Sequence, residues 1–233
     1  MRRIRWEEVD RLLAKGFLVP VIGGLIPRYK KLPWLPTEEQ WHTLLEAAKA
    51  EPIRNRLMLA IAYEAALRRE ERCALSTGDV DPAYRLIRVR AETTKNMMER
   101  TVPYSVATNS LYMAYLKARR SLSRNRGPLF LAESDRNFAA PITIWTWSKG
   151  VKRMAERAGV QPFTTHPPRH LCLTDLARCE WDIHEIALFA GQRSIQTSLL
   201  SIHLSGRELG AKIERGMASI HEWRVNMVKE VLQ

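Results

Sequence analysis

Four short stretches of the 233-residue sequence hold residue types that could act on an anion. In His166-Pro167-Pro168-Arg169-His170, two prolines fix the chain, and proline suits the first position of a helix because its missing N–H has no partner there anyway. His166 and Arg169 are then held at a helix N-terminus, where the dipole and the orphan amides favour negative charge. From these residues alone, a histidine acting as the N-terminal cap reads equally well. Arg68 closes a helical pattern in Ala66-Leu67-Arg68-Arg69-Glu70-Glu71, where the plain reading is a solvated charged face. Lys95 lies in a turn between two strand patterns, the ordinary place for a surface lysine, and Gln192 follows a turn at Gly191. Singly, none of the four specifies a reaction.

The elements that would carry these groups are mostly helical. Thr37-Glu38-Glu39-Gln40 is a capping box with Pro36 ahead of it and Trp41, Leu44, Leu45 and Ala48 as the apolar stripe behind. A second helix is expected over 54–66, with Leu57, Ile61 and Ala65 on one face, and a short third over 69–75. The pattern then changes to two strands, Arg85-Leu86-Ile87-Arg88-Val89-Arg90 and Arg100-Thr101-Val102-Pro103, a hairpin or small sheet with Lys95 near its turn. Further helices are expected over 105–122, 142–158, 169–180, 182–190 and 206–231, with a short helix over 6–15 and a short strand at Leu129-Phe130-Leu131. The last helix is amphipathic, with Leu209, Ile213, Met217 and Ile220 along one face. The expected fold is mostly α with a small antiparallel β-sheet.

Charge narrows the partner. Thirty-seven Lys and Arg against 25 Asp and Glu leave a net +12, and the pI is near 10.0. In a chain with 45% hydrophobic residues, enough for a core, that balance points to a polyanion, first of all nucleic acid, against the alternative of a generally basic protein. No apolar run reaches the roughly 18–20 residues of a membrane span, and Glu7, Glu8 and Asp10 stand where a secretory signal would turn apolar. Cys172 and Cys179 sit seven apart in a helical pattern, roughly 10 Å along the axis, too far for a disulfide. A reducing, cytoplasmic setting is expected.

In combination the four stretches resemble the tyrosine recombinase (phage integrase) family. Ala66-Leu67-Arg68-Arg69-Glu70-Glu71-Arg72-Cys73-Ala74-Leu75 followed by Asp79-Val80-Asp81 is similar to the family's first signature box. Thr94-Lys95-Asn96 with Glu99-Arg100-Thr101-Val102-Pro103 resembles its hairpin lysine and following strand, His166-Pro167-Pro168-Arg169-His170 its His-x-x-Arg box, and Ala190-Gly191-Gln192 through Ile202-His203 its last box. The resemblance covers roughly residues 36–215, with the boxes in order. It implies a bacterial or phage-encoded, nucleoid-associated DNA breaking-rejoining enzyme that works through a 3′-phosphotyrosyl intermediate, with no metal and no cofactor. It implies catalytic roles for Arg68, Lys95, His166, Arg169 and Gln192, with Glu71 in support. The partners it implies are double-stranded DNA and further copies of the chain, as a dimer or tetramer on DNA; no membrane or small-molecule cofactor is implied.

Two departures stand out. Gln192 occupies a position where the family usually has histidine or tryptophan, and glutamine can still donate a hydrogen bond. The nucleophilic tyrosine falls at Ser201, and the chain has no tyrosine after Tyr115. A phenol ionises near pH 10, whereas an aliphatic hydroxyl is far less acidic and needs a strong base, so this chain is expected to cleave poorly or not at all. The alternative is a naturally inactive DNA-binding or accessory protein on the same fold. A zinc enzyme built on His166, His170, Cys172 and Cys179 lacks the paired ligand spacing. The expected division is a basic arm or linker over 1–35, a catalytic domain over 36–205, and a C-terminal helix over 206–233 that docks on its own domain or on a neighbouring subunit. Residues 1–35 are too few for the separate core-binding domain that usually precedes the catalytic one in the family.

Overall fold

A computed structural model of the chain describes residues 33–192. Most of the basic stretch 1–35, the expected helices over 6–15 and 206–231, and Ser201 lie outside the described residues.

Helix α1 (Glu38–Ala48) begins where its capping box predicts. Thr37 Oγ1 accepts from the Gln40 amide at 3.2 Å, and Gln40 Oε1 accepts from the Thr37 amide at 3.0 Å. Helix α2 (Ile53–Glu64) buries Leu57, Met58 and Ile61. It stops two residues earlier than its pattern suggests, because Ala66 swings into the left-handed region at φ 46°. The short helix α3 (Arg69–Cys73) follows directly.

The sheet has three antiparallel strands, β1 (Val80–Asp81), β2 (Leu86–Val89) and β3 (Arg100–Pro103), in that spatial order. The sequence predicts only the last two, since a two-residue strand cannot display alternation. What holds β1 against β2 is a turn: Asp81 Oδ1 accepts from the amides of Ala83 and Tyr84 at 3.0 and 3.1 Å, and Arg85 closes it at φ 55°. In the β2–β3 pair, Ile87 faces Val102 and Val89 faces Arg100.

Four longer helices complete the described chain. They are α4 (Val106–Leu122), α5 (Ile144–Ala158), α6 (Pro167–Arg178) and α7 (Ile183–Ala190). Glu64 at the end of α2 accepts from the Ser105 amide at 2.9 Å and from its hydroxyl at 2.8 Å, which anchors the start of α4. Helix α6 starts at Pro167 rather than at 169, as both prolines fit a first turn whose N–H groups have no helical partner. Asp182 and Glu185 form a capping box at α7, and Gly191 ends that helix at φ 61°.

The main core joins α2, the sheet, α4 and α5 through Leu57, Ile87, Val102, Tyr115, Trp147 and Met154. A smaller cluster of Ala66, Cys172, Leu173, Ile186 and Ala190 lies between α2, α6 and α7 and underlies the site described below. The expected strand at Leu129–Leu131 does not form. These residues are buried and make only isolated backbone contacts, the Leu129 amide to the Leu75 carbonyl at 2.7 Å, the Ile142 amide to the Phe130 carbonyl at 2.9 Å and a bridge from Leu131 to Pro141, while side chains take other carbonyls: Tyr115 Oη and Arg119 Nε both donate to that of Leu129, at 3.0 Å each, and Arg54 Nη1 to that of Leu131 at 2.7 Å. Cys73, Cys172 and Cys179 are free thiols. Among the described residues no helix is long and apolar enough to cross a membrane, and no three His, Cys, Asp or Glu side chains are grouped to hold a metal ion.

Candidate active site

The site forms where the α2–α3 junction, the first turn of α6 and the C-terminus of α7 meet the β2–β3 loop. Arg68 is the N-cap residue of α3, so its backbone is extended and its side chain projects from the helix start. Its Nη1 donates to Glu71 Oε1 at 2.8 Å, its amide donates to Glu71 Oε2 at 2.9 Å, and its Nη2 donates to the Gly191 carbonyl at 3.2 Å. The three residues from Arg68 to Glu71 are one turn, the spacing that brings a carboxylate back to the helix start. Glu71 thus fixes both ends of Arg68 while leaving its remaining N–H groups without a partner among the described residues.

Arg169 arrives from the opposite side. Its side chain is almost wholly buried, with Nη2 donating to the Ala190 carbonyl at 2.8 Å and Nη1 to the Ala66 carbonyl. The left-handed turn at Ala66, held at a cost of about 1–2 kcal/mol for an L residue, lies two residues before Arg68 and supplies that carbonyl. Arg68 and Arg169, 101 positions apart in sequence, therefore bind adjacent carbonyls, Gly191 and Ala190, at the end of α7. Burial, and then the positive Arg68, push Arg169 down to about 9, which leaves it charged at neutral pH.

His166 is the residue preceding α6 and is exposed; its side chain does not cap the helix. The capping alternative is thereby removed. Desolvation by its neighbours first, and then the charge of Arg69, lower its pKa below that of an ordinary histidine, which favours the neutral imidazole. With Arg69, Ser148, Lys152 and Thr165 it lines an open cavity of about 540 Å³. Gln192 is half-buried just beyond Gly191, its amide donating to the Ala187 carbonyl at 2.9 Å.

Lys95 is exposed and makes no hydrogen bond or ion pair among the described residues. The loop that carries it is nevertheless fixed. Buried Thr94 Oγ1 accepts from the Met98 amide at 3.0 Å, and Asn96 Nδ2 donates to the Gly191 carbonyl at 3.3 Å, the same oxygen that Arg68 uses. The structure thus brings Arg68, Glu71, Arg169 and the segment leading into Gln192 together, puts His166 three residues from Arg169 at the start of the same helix, and leaves Lys95 on a loop tied to the same carbonyl. Ser201 lies outside the described residues.

One residue that the sequence reading passes over is central. Arg100 on β3 donates to both oxygens of Glu71, Nη2 to Oε2 at 2.7 Å and Nη1 to Oε1 at 3.2 Å, and its Nε donates to the Phe189 carbonyl at 3.1 Å. Burial would raise the Glu71 carboxyl, but Arg100 and then Arg68 overcome it and hold the group down to about 2. The sequence did contain a signal: Arg100 alternates in phase with Val102, which is fully buried, so a strand carrying both points Arg100 inward.

Two guanidinium groups held at one helix end, with His166 at the start of the helix that carries Arg169, are an arrangement that could hold an anion. Residues 35–204 match the sequence profile of the Phage integrase family. The chain belongs to that family. Among its relatives, the tyrosine recombinase XerC of Herpetosiphon aurantiacus is 30% identical over 201 residues, covering 85% of this chain and 58% of XerC. Transposase A from transposon Tn554 of Staphylococcus aureus is 29% identical over 211 residues, covering 84% of this chain and 57% of the transposase. The crystal structure of XerA recombinase superposes with a TM-score of 0.67 at 26% identity, over 90% of this chain and 71% of XerA. This phage integrase family chain thus spans little more than half the length of the curated relatives it matches.

Proposed function

We propose that the chain is the catalytic portion of a site-specific DNA recombinase or integrase, in a form that is cleavage-deficient because Ser201 stands where the nucleophilic tyrosine belongs. The observation that carries this reading is the convergence of Arg68 and Arg169 on neighbouring carbonyls of one helix end, with Glu71 orienting Arg68. Family membership and relatives named as a tyrosine recombinase and a transposase support it.

In the cleavage step, a tyrosine oxygen attacks the scissile phosphorus in line, a 3′-phosphotyrosyl bond forms, and the bond to the 5′-oxygen breaks. Arg68 and Arg169 hold the non-bridging oxygens, Gln192 contacts one of them, and His166 donates a hydrogen bond or carries a proton. Lys95, on the loop tied to Gly191, protonates the departing 5′-oxygen. Attack by a second strand's hydroxyl reverses the step, so the phosphodiester energy is retained in the covalent link. At Ser201 the shorter side chain and its much less acidic hydroxyl fail at the first of these events. Double-stranded DNA is the partner, held largely through phosphates in keeping with the +12 charge, and its binding weakens steeply with salt. The chain works as a dimer or tetramer on DNA.

The specific observation favouring a second reading, a DNA-binding accessory subunit without cleavage, is Ser201 itself in a chain whose last tyrosine is Tyr115. The test is Ser201→Tyr on a nicked suicide duplex, read as protein–DNA adduct on a denaturing gel. The recombinase reading expects an adduct from S201Y and none from the unaltered chain. No adduct from S201Y, with duplex binding intact, leaves the accessory reading in its place.

A further inference from the structure

Arg100 makes as many hydrogen bonds within the site as Arg68, three each. Its guanidinium takes both oxygens of Glu71, and each of those oxygens also accepts one N–H of Arg68. The four bonds use the carboxylate's capacity for acceptors, so Glu71 can neither rotate nor pull Arg68 into a two-pronged pair of its own. The third arm of Arg100, Nε, holds the Phe189 carbonyl in the last turn of α7, two residues before Gly191.

Gly191 records how closely the two sides meet: a Cβ built there would lie 2.7 Å from Arg100 Nη1 and 3.0 Å from its Cζ. Its φ of 61° already favours glycine. The Arg100 side chain is 7% exposed and that of Glu71 1%, against 25% for Arg68. The outer arginine is thus presented to solvent by an inner pair that is not.

We infer that Arg100 is a positioning residue of this site, setting Arg68 through Glu71 and locking the α7 end that carries Gln192 to the strand that follows the Lys95 loop. This rests on the recombinase reading only where cleavage is the readout. Without Arg100, Glu71 keeps one cationic partner, draws Arg68 inward onto both of its oxygens, and frees the end of α7. Lysine at 100 can reach one Glu71 oxygen but cannot also hold the Phe189 carbonyl, so it restores part of the function.

The first measurement uses the chain as it is, with ¹⁵N-labelled arginine. Arg100→Gln moves the Arg68 Nε–H resonance and leaves those of Arg54 and Arg119 in place, as these are held by the Leu131 and Leu129 carbonyls elsewhere in the core. An unmoved Arg68 resonance overturns the inference, whatever the chain does to DNA. The second measurement is made in the S201Y background with a nicked suicide duplex. Arg100→Gln lowers the single-turnover rate at saturating DNA by about 10- to 100-fold, the scale of an ångström-level misplacement, with the duplex Kd within about twofold. Arg100→Lys recovers part of that loss.

Loss of rate and of DNA affinity in equal proportion, or no loss of rate, overturns it. Should the glutamine variant not fold, Gly191→Ala displaces Arg100 while keeping its charge, and the same split between rate and affinity is expected. If S201Y itself forms no adduct, the recombinase reading fails and the arginine spectra alone decide the role of Arg100.

Discussion

Glu71 and Arg72 are consecutive residues of α3, withdrawn from solvent to 1% and 0% exposure, yet the molecule handles their charges in opposite ways. Glu71 faces the site and is surrounded by opposite charge and N–H donors from Arg68 and Arg100. Arg72 faces the core. Its guanidinium carbon sits 4.9 Å from the Trp147 ring centroid, its Nη1 makes a long 3.5 Å contact to the Leu67 carbonyl, and its Nε and Nη2 have no hydrogen-bond partner among the described residues. Burial pushes Arg72 down to about 10, which leaves it charged at neutral pH. The difference teaches that burial alone does not mark a functional charge. The group that serves the site is the one whose hydrogen-bonding capacity is filled, while the other is carried in the core against an indole face, with Glu70 and Glu71 acting on it only through space.

Removing each charge should therefore act in opposite directions, and the larger effect belongs to Glu71. In Glu71→Ala, Arg68 and Arg100 are left facing each other without a carboxylate, and losing one partner of a buried ionic cluster costs about 3–5 kcal/mol. Urea unfolding of the unaltered chain and of E71A should show a loss on that scale. A loss below about 1 kcal/mol would mean that the cluster is solvated in solution, and the contrast with Arg72 would disappear.

Replacing Arg72 with methionine keeps much of the volume and removes a charge that has no carboxylate partner. Exchanges of buried ionic groups for packed apolar ones range from neutral to about 1–4 kcal/mol stabilising. The same urea experiment on Arg72→Met should give a midpoint at or above that of the parent. A clear loss would show that stacking of Arg72 on Trp147 outweighs its desolvation, and both sides of α3 would then be held by their charges.

The start of α1 was legible in the sequence because it is local, Thr37 to Gln40 being a three-residue relation that a linear reading can see, and the order of the four boxes was legible as a family resemblance. Arg100 was not recognised because its meaning lies in contacts 29 and 89 positions away, with Glu71 and Phe189. Leu129–Leu131 read as a strand because a buried apolar triplet looks the same whether it runs in a ladder or makes one isolated bridge with side chains such as Tyr115 and Arg119 on its carbonyls. Strand β1 was missed for the converse reason, that two residues carry no period. Arg72 sits on a charged string, Arg69 to Arg72, that reads as solvated, and only the packing of α5 over it makes it core.

The smallest effect is also the one that separates the two residues most cleanly, since it concerns pH rather than size. The Glu71 carboxyl is held near 2 in the folded chain, against about 4.3 for a free glutamate. On acidification the unfolded chain binds the proton first. The stabilisation from Glu71 is therefore fully present above about pH 4.3 and is lost as pH falls through about 2. Arg72 stays protonated in both states throughout that range, because its depressed value of about 10 lies far above it. The gap in unfolding free energy between the parent chain and Glu71→Gln should be equal at pH 7 and pH 5 and smaller at pH 3. The gap between the parent and Arg72→Met should change less over the same range, because Glu70 and Glu71 act on Arg72 through space and not through a hydrogen bond. If the Arg72 gap changed between pH 5 and 3 by as much as the Glu71 gap, carboxylates would be compensating Arg72 as strongly as Arg68 and Arg100 compensate Glu71, and the contrast between the two residues would fail.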